Sequence, residues 1–189
     1  MDIVKVERLI RELLVEIGED PDREGLLKTP RRFAESIEYL TSGYHTDITK
    51  VINKAIFTQA THNMVIVKDI ELYSLCEHHL LPFFGRCHIG YISKGKIFGA
   101  SKLPRIVNMY AQRLQTQERL TDQIAYAIHD SIETHGVGVV IEARHLCMMM
   151  RGIEKQNSKM ITSSVLGVFR ESHTTRNEFL SLVNQNGYA

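Results

Sequence analysis

The spacing of apolar residues changes at Met64, and this change restricts the chain to folds that combine helices with a sheet. Over residues 2–17 and 29–43 the apolar side chains recur every three or four positions, which predicts two amphipathic helices. From Met64 onward the segments MVIVKDIELYSL and GRCHIGYIS alternate between apolar and polar residues, as antiparallel strands do. The sequence therefore predicts an α+β fold.

The other segments extend this pattern. Residues 47–57 predict a third, shorter helix, and KGKIFGA predicts a turn followed by a short strand. Helical spacing returns over residues 103–114 and 118–134, and GVGVVIEARHLCMMM with SKMITSSVLGVFR predicts a second strand pair. A closing helix is predicted over residues 174–184. The two strand pairs are thus separated by two helices.

Length and composition favour one main domain with an extension. The chain has 189 residues, of which 43% are apolar and 24% charged, the usual mixture of a globular protein and not of a disordered one. We therefore expect a helical N-terminal extension over residues 1–60 and a main domain over residues 61–189.

Charge and cysteine content argue against several functional classes. A formal charge of +1 without a block of like charges indicates neither a nucleic-acid surface nor a polybasic membrane face. No apolar run approaches the roughly 20 residues that span a bilayer, and the N-terminus is amphipathic instead of signal-like. Three cysteines are an odd number, which disfavours a disulfide framework. We expect a cytoplasmic protein that binds no nucleic acid and no membrane.

Two separate segments carry residues that bind metals. SLCEHHLLPF places Cys76 and His79 at a strand end before a turn, and RHLC carries Cys147 on another predicted strand. Thiolate and imidazole are the ligands that zinc prefers. In a continuous strand Cys147 and His145 would share a face. A sheet that joins these segments would create a zinc site with Cys76, His79 and Cys147 as ligands.

Three protein ligands leave a fourth position for water, as in catalytic zinc sites. His78 and His145 would then be available for proton transfer near neutral pH. A closed four-ligand zinc site and reduced core cysteines remain open alternatives. Cys87 alternates with sheet residues and is interpreted as a buried apolar residue, with His88 on the opposite face.

A second group of residues suits an anionic ligand. Arginine and lysine bind phosphate oxygens, and Ser101 near a helix start adds a hydroxyl and backbone donors. Each of these residues, and likewise Glu118 in a first helical turn, is by itself more often a surface residue than a functional one. The cations concerned are Lys102, Arg105 and Arg151 with the pair Arg31 and Arg32.

The chain closely resembles the GTP cyclohydrolase I family. The resemblance rests on LCEHHLLPFFGRCHIGYI, GASKLPRIV, RLQTQERLTDQIA, GVGVVIEARHLCMMMRG and TSSVLGVFR, with GLLKTPRR in the helical part. It implies opening of the imidazole ring of GTP, release of formate and rearrangement to 7,8-dihydroneopterin triphosphate, the first step of folate and tetrahydropterin synthesis. It also implies one Zn²⁺ per subunit, bound by Cys76, His79 and Cys147.

The resemblance also implies roles for the remaining residues. His78 would donate a proton to the guanine imidazole ring, and His145 and Ser101 would manage protons in the later steps. Gln117 and Glu118 would hold the guanine. The ribose and triphosphate would contact one hydroxyl and four cationic side chains: Ser101, Lys102, Arg105, Arg151 and, from a neighbouring subunit, Arg32.

The implied fold is the tunnelling fold, a four-stranded antiparallel sheet with two helices between its strand pairs, preceded here by the helical extension. Such sheets join into pentameric barrels, and two stacked barrels would give a homodecamer. Two rival hypotheses are a nitrile reductase of the same fold with a cysteine nucleophile and a nicotinamide cofactor, and a non-catalytic zinc-stabilised protein that binds a nucleotide. The complete CEHH and HxC motifs argue against the first, and the retained proton donors His78 and His145 argue against the second.

Overall fold

The computed structural model of this chain describes residues 1–53, 55–59, 61 and 63–185, and contacts divide the chain after Ser42 into two units. The boundary lies earlier than residue 60 because the following segment packs within the second unit. Gly43 donates its N–H to the Gln112 carbonyl at 3.0 Å, and Ile52 is buried in the core of the second unit. In the described residues, no helix has the length and apolar character needed to cross a membrane.

The first unit consists of two helices, α1 (Ile3–Glu16) and α2 (Thr29–Leu40), and confirms both predictions. The Asp2 side chain caps α1 by accepting the Lys5 N–H at 3.0 Å, and Pro30 occupies the first turn of α2, where no amide hydrogen is needed. In the apolar stripe of α1, Leu14 is buried, Ile3, Val6 and Ile10 are half-buried, and Leu9 and Leu13 are exposed.

The second unit begins with α3 (Ile48–Ile52) and β1 (Ile56–Thr58). The prediction of a helix through residue 57 is wrong beyond residue 52. Asn53 adopts a left-handed conformation with φ 42°, which ends α3 in the way that C-terminal helix caps do. The chain is then free to extend as β1.

The remaining elements follow in the predicted order of strands and helices. They are β2 (Met64–Cys76), β3 (Pro82–Ser93), β4 (Lys96–Phe98), α4 (Lys102–Ala111), β5 (Leu114–Gln115), α5 (Gln117–Ser131), β6 (Thr134–His145), α6 (Leu146–Met149), β7 (Met160–Gly167), α7 (Val168–Glu171) and α8 (His173–Asn184).

The main sheet has the strand order β5-β2-β3-β6-β7. Strands β2, β3, β6 and β7 are antiparallel, and the two-residue β5 adds a parallel partner to the end of β2. Because α4 and α5 lie between the two strand pairs in sequence, the predicted tunnelling-fold arrangement is confirmed. The short strand β4 is also confirmed, but it pairs with β1 in a separate two-stranded sheet.

The core lies between the sheet and the helices α4 and α5. Cys87 is completely buried among apolar side chains, as predicted, and its burial raises the pKa of its thiol. His88 lines a cavity on the opposite face of the sheet. The buried sheet residues include Ile89, Val137, Val139 and Ile141, and the helices contribute Leu103, Ile106, Ile124 and Ile128.

Two paired glycines allow two aromatic rings to pack directly on the sheet. Gly90 of β3 lies opposite Gly138 of β6. Phe169 and Phe179 contact each other edge to face at 5.5 Å. A Cβ atom at Gly138 would lie 2.8 Å from the Phe169 ring and 2.9 Å from the Phe179 ring, so neither glycine position has room for a side chain.

We therefore expect Gly138→Ala to lower the free energy of unfolding by about 2 kcal/mol, because the added methyl group displaces packed rings. Urea unfolding measures this change. Gly99→Ala is the matched control, since its Cβ would meet no atom closer than 3.5 Å. Equal unfolding midpoints for both variants and the unmodified chain would contradict the packing described.

Candidate active site and metal centre

The segment from Cys76 to Leu81 forms a tight turn between β2 and β3. The Cys76 carbonyl accepts the N–H groups of His79 at 3.3 Å and Leu80 at 2.8 Å, and the Cys76 N–H donates to the Leu81 carbonyl at 2.9 Å. Leu80 adopts a left-handed conformation with φ 56°. The turn brings an imidazole back to the thiol, so that His79 Nδ1 lies 3.9 Å from Cys76 Sγ.

Cys147 reaches this turn because β3 pairs with β2 on one side and with β6 on the other. Pro82 lies opposite Leu75, and Phe83 lies opposite His145 at the end of β6. The ligand atoms of Cys76, His79 and Cys147 all lie within 4.8 Å of one another. The structure thus brings together the three residues that could hold a metal ion.

The local geometry at Cys147 differs from the prediction. The strand was expected to continue through this residue, but β6 ends at His145 and Cys147 lies in the single turn of α6. The two side chains therefore do not share a strand face. Cys147 contacts Cys76, whereas His145 contacts the start of α5.

The donor set fits a divalent metal ion. Two sulfur atoms and one imidazole are soft ligands of the kind that bind zinc. Burial, the nearby Cys76 and a hydrogen bond with its sulfur raise the pKa of the Cys147 thiol, and Arg151 opposes the shift. Two thiolates in contact repel each other, so a cation between them would stabilise both.

His78 lies beside this group but does not belong to it. The Nδ1 atoms of His78 and His79 both lie 3.9 Å from Cys76 Sγ. Only His79 also has a ring nitrogen within 4.8 Å of the Cys147 sulfur. The exposed His78 ring has Nε2 3.9 Å from a Glu77 carboxylate oxygen. Glu77 forms an ion pair with Arg119, which lowers the pKa of the carboxyl.

His145 is buried and held in place on two sides. Its ring stacks on Phe83 with the centroids 4.5 Å apart and the planes at 6°. Its Nε2 lies 2.8 Å from Gln117 Oε1. Burial lowers the pKa of His145, and the Glu118 carboxylate opposes this shift. His145 and the acidic start of α5 therefore belong to one cluster.

The Gln117 side chain is buried and bonded to protein groups. It is 1% exposed, and its amide nitrogen lies within hydrogen-bonding distance of the Ile141 carbonyl, the Met160 carbonyl and the Thr162 hydroxyl. The amide is saturated by protein groups and is not free to hold a ligand. Glu118, the next residue, is exposed.

The residues predicted to meet the phosphates differ in their availability. Ser101 and Arg105 are exposed at the start of α4, and the Ser101 hydroxyl does not cap the helix. Lys102 is buried, and its Nζ donates to the Val51 carbonyl at 3.1 Å. Lys102 would have to change rotamer to contact a ligand.

Three further arginines, Arg151, Arg31 and Arg32, are exposed. Arg151 lies near enough to Cys147 to influence its thiol. In the first unit Arg31 pairs with Glu35 at 2.7 Å, whereas the Arg32 guanidinium has no partner among the described residues. Arg32 therefore remains free for an external anion.

A cavity of about 750 Å³ on the other face of the sheet is not this site. Four of the charged side chains that line it form ion pairs, Arg86 with Asp69 at 2.9 Å and Lys159 with Glu142 at 3.1 Å. None of the predicted site residues lines it. The predicted site residues therefore lie away from this cavity.

Sequence reasoning missed three residues of the cluster: Glu77, Arg119 and Thr162. The sequence carried a signal for the first two residues, because Glu77 lies between Cys76 and His78 and Arg119 lies beside Glu118. Thr162 lies 45 residues from Gln117 and only the sheet brings them together.

Fold and site together define a class: tunnelling-fold proteins with a candidate Cys–His–Cys metal centre at adjoining strand ends. The family model described as GTP cyclohydrolase I matches residues 6–184. The chain therefore belongs to the GTP cyclohydrolase I family, as the sequence resemblance indicated.

Individual relatives agree with this assignment. The chain is similar to GTP cyclohydrolase 1 of Leptospira biflexa, with 60% identity over 97% of this chain and 100% of that protein. It is 60% identical to GTP cyclohydrolase 1 of Coxiella burnetii over 93% of this chain and 96% of that protein. The crystal structure of the archaeosine synthase QueF-Like in the apo form aligns with 57% of this chain and 97% of its own, at 14% identity and TM-score 0.48, a likeness too remote to add to the assignment.

We expect Cys147→Ser to lose its bound metal, because it replaces one of three soft ligands with a poor one. Metal content per chain, measured on purified protein, tests this expectation. Cys87→Ala is the matched control, since it removes the cysteine that lies in the core. A full metal complement in Cys147→Ser would remove Cys147 from the ligand set.

Proposed function

We propose that this chain catalyses the reaction of its family: GTP and water are converted to formate and 7,8-dihydroneopterin triphosphate, the first step of folate or tetrahydropterin synthesis. The observation that carries the proposal is the convergence of Cys76, His79 and Cys147 within 4.8 Å in a chain that belongs to this family. The reaction requires a group that activates water, and this cluster is suited to hold it.

Zinc is the metal we propose for the site, one ion per chain. Its ligands would be Cys76 and Cys147 through sulfur and His79 through nitrogen. Held by three protein ligands, a zinc ion would lower the pKa of water to near neutrality and make that water available as a nucleophile. His78 is left outside the ligand set.

The two remaining histidines would handle protons. His78 is exposed beside the cluster and would donate a proton to the imidazole ring of guanine as that ring opens. His145 is buried against Phe83 and would exchange protons in the later opening and rearrangement of the ribose. Ser101, whose hydroxyl makes no capping bond, would assist in the same steps.

Glu118 would recognise the base. A carboxylate accepts two hydrogen bonds, which matches the ring N–H and the amino group of guanine. Adenine lacks this pair of donors, so bound ATP would leave the carboxylate unpaired. The triphosphate would meet Arg105, Arg151 and Lys102, and Arg32 of a neighbouring subunit.

The purified chain should release formate from GTP, and kcat/KM for ATP should be lower by at least a few hundredfold, because a site that pairs specific donors rejects a base without them. Glu118→Ala should lower kcat/KM for GTP by a similar factor and retain its metal. Formate release measured with both nucleotides tests this proposal.

Asp122→Ala is the matched control, because this exposed carboxylate lies one turn further along the same helix. It should behave like the unmodified chain. Absence of formate release would overturn the proposed reaction, and equal kcat/KM values for GTP and ATP would overturn the role of Glu118 alone.

We also propose that the chain assembles into a homodecamer of two stacked pentamers. Strand β7 pairs only with β6, and β5 covers only Leu75 and Cys76 of β2, so both edges of the sheet expose unpaired backbone groups among the described residues. Open edges of this kind favour pairing with further strands. The exposed apolar side chains of α1, such as Leu9 and Leu13, would add contacts.

Sedimentation equilibrium should therefore give a mass about ten times the 21.6 kDa of one chain. The same mass should be found after metal loading, because the assembly depends on strand edges and helices. A mass of one or two chains would contradict this proposal without affecting the assignment of the metal ligands.

The proposed location is the cytoplasm. All three cysteines are free, and Cys76 with Cys147 must stay reduced to bind a metal. A reducing compartment satisfies this requirement.

A further inference from the structure

The Gln117 amide connects the helix α5 with the strands β6 and β7. Gln117 is the first residue of α5, its amide nitrogen contacts the carbonyls of Ile141 in β6 and Met160 in β7, and its Oε1 contacts His145 Nε2. Distances are 3.1 and 3.0 Å for the two carbonyls and 2.8 Å for the histidine.

The orientation of this amide follows from its partners. Carbonyl oxygens only accept hydrogen bonds, so the NH₂ group must face Ile141 and Met160. The amide oxygen then faces His145, and an oxygen at 2.8 Å requires a hydrogen on the ring nitrogen. His145 therefore carries its hydrogen on Nε2, and in the neutral ring Nδ1 has the lone pair.

The second ring nitrogen remains accessible. No described residue provides a hydrogen-bond partner for His145 Nδ1. No buried side-chain nitrogen or oxygen of the described residues lacks a partner, so Nδ1 must reach the surface. The contact of Nε2 with Gln117 Oε1 fixes which of the two ring nitrogens faces inward.

We infer that Gln117 is a positioning residue that holds His145 in the Nε2–H tautomer, so that Nδ1 is the nitrogen that exchanges protons with the substrate. The identity of the substrate rests on the proposed function. The tautomer rests on hydrogen bonding alone. It replaces the expectation that the Gln117 side chain binds guanine.

The test of the tautomer needs no substrate. In long-range ¹H–¹⁵N spectra of the zinc-loaded full chain with labelled histidine, at a pH where the ring is neutral, His145 should show its hydrogen on Nε2; a His145→Gln sample identifies its signals. Gln117→Glu keeps an acceptor and should keep this tautomer, whereas Gln117→Met should lose it. A hydrogen on Nδ1 in the unmodified chain would overturn the inference whatever the variants do.

The kinetic test separates positioning from binding. Gln117→Met should lower kcat for GTP by about 10- to 100-fold, as loss of an outer hydrogen-bond partner does, with little change in KM or zinc content. Thr134→Val is the matched control: Thr134 is also buried, its hydroxyl lies 2.6 Å from His129 Nδ1 at the other end of β6, and it contacts no residue of the site. Its kcat should be unchanged.

A raised KM with unchanged kcat in Gln117→Met would show that the side chain binds substrate, and would overturn the inference. Equal losses of kcat in Gln117→Met and Thr134→Val would indicate a structural effect and would also overturn it. If the unmodified chain releases no formate from GTP, the proposed function fails, and the spectrum still decides the tautomer.

Discussion

The pairing of β3 with β2 and β6 is the constraint on which the site depends. Leu75 lies opposite Pro82 and Phe83 lies opposite His145, so one strand fixes where both neighbouring strands end. A shift of one residue in either register would turn the inward side chains to the other face. The sheet therefore positions the candidate metal ligands. Cys76 and His79 are close in sequence, whereas Cys147 belongs to a distant segment.

The start of α5 is the second element that organises the site. Backbone pairing ties it to the metal turn, because Glu77 donates its N–H to the Gln115 carbonyl at 3.0 Å. The buried Gln117 ties it to β6 and β7, and the exposed Glu118 lies close to His145. Rigid support of this kind lets a few exposed groups act at fixed positions around a substrate.

The sequence predicted the order of helices and strands because their apolar periods are long and regular. It failed where local geometry overrides the period: Asn53 ends a helix early, and α6 follows β6 although the strand spacing of the sequence continues. The three residues that converge could be predicted from residue types that bind zinc, and their role as ligands stays a prediction. The role of Gln117 could not, because it depends on backbone carbonyls of strands that lie 24 and 43 residues away.

The central claim is that strand register assembles an open three-ligand metal site. Anomalous diffraction at the zinc absorption edge, from crystals of the metal-loaded protein, tests it most directly. The account predicts one peak per chain, bonded to the sulfurs of Cys76 and Cys147 and to the ring of His79, with His78 not bonded to it. A peak with the His78 ring as fourth ligand, or a peak away from Cys147, would contradict the account.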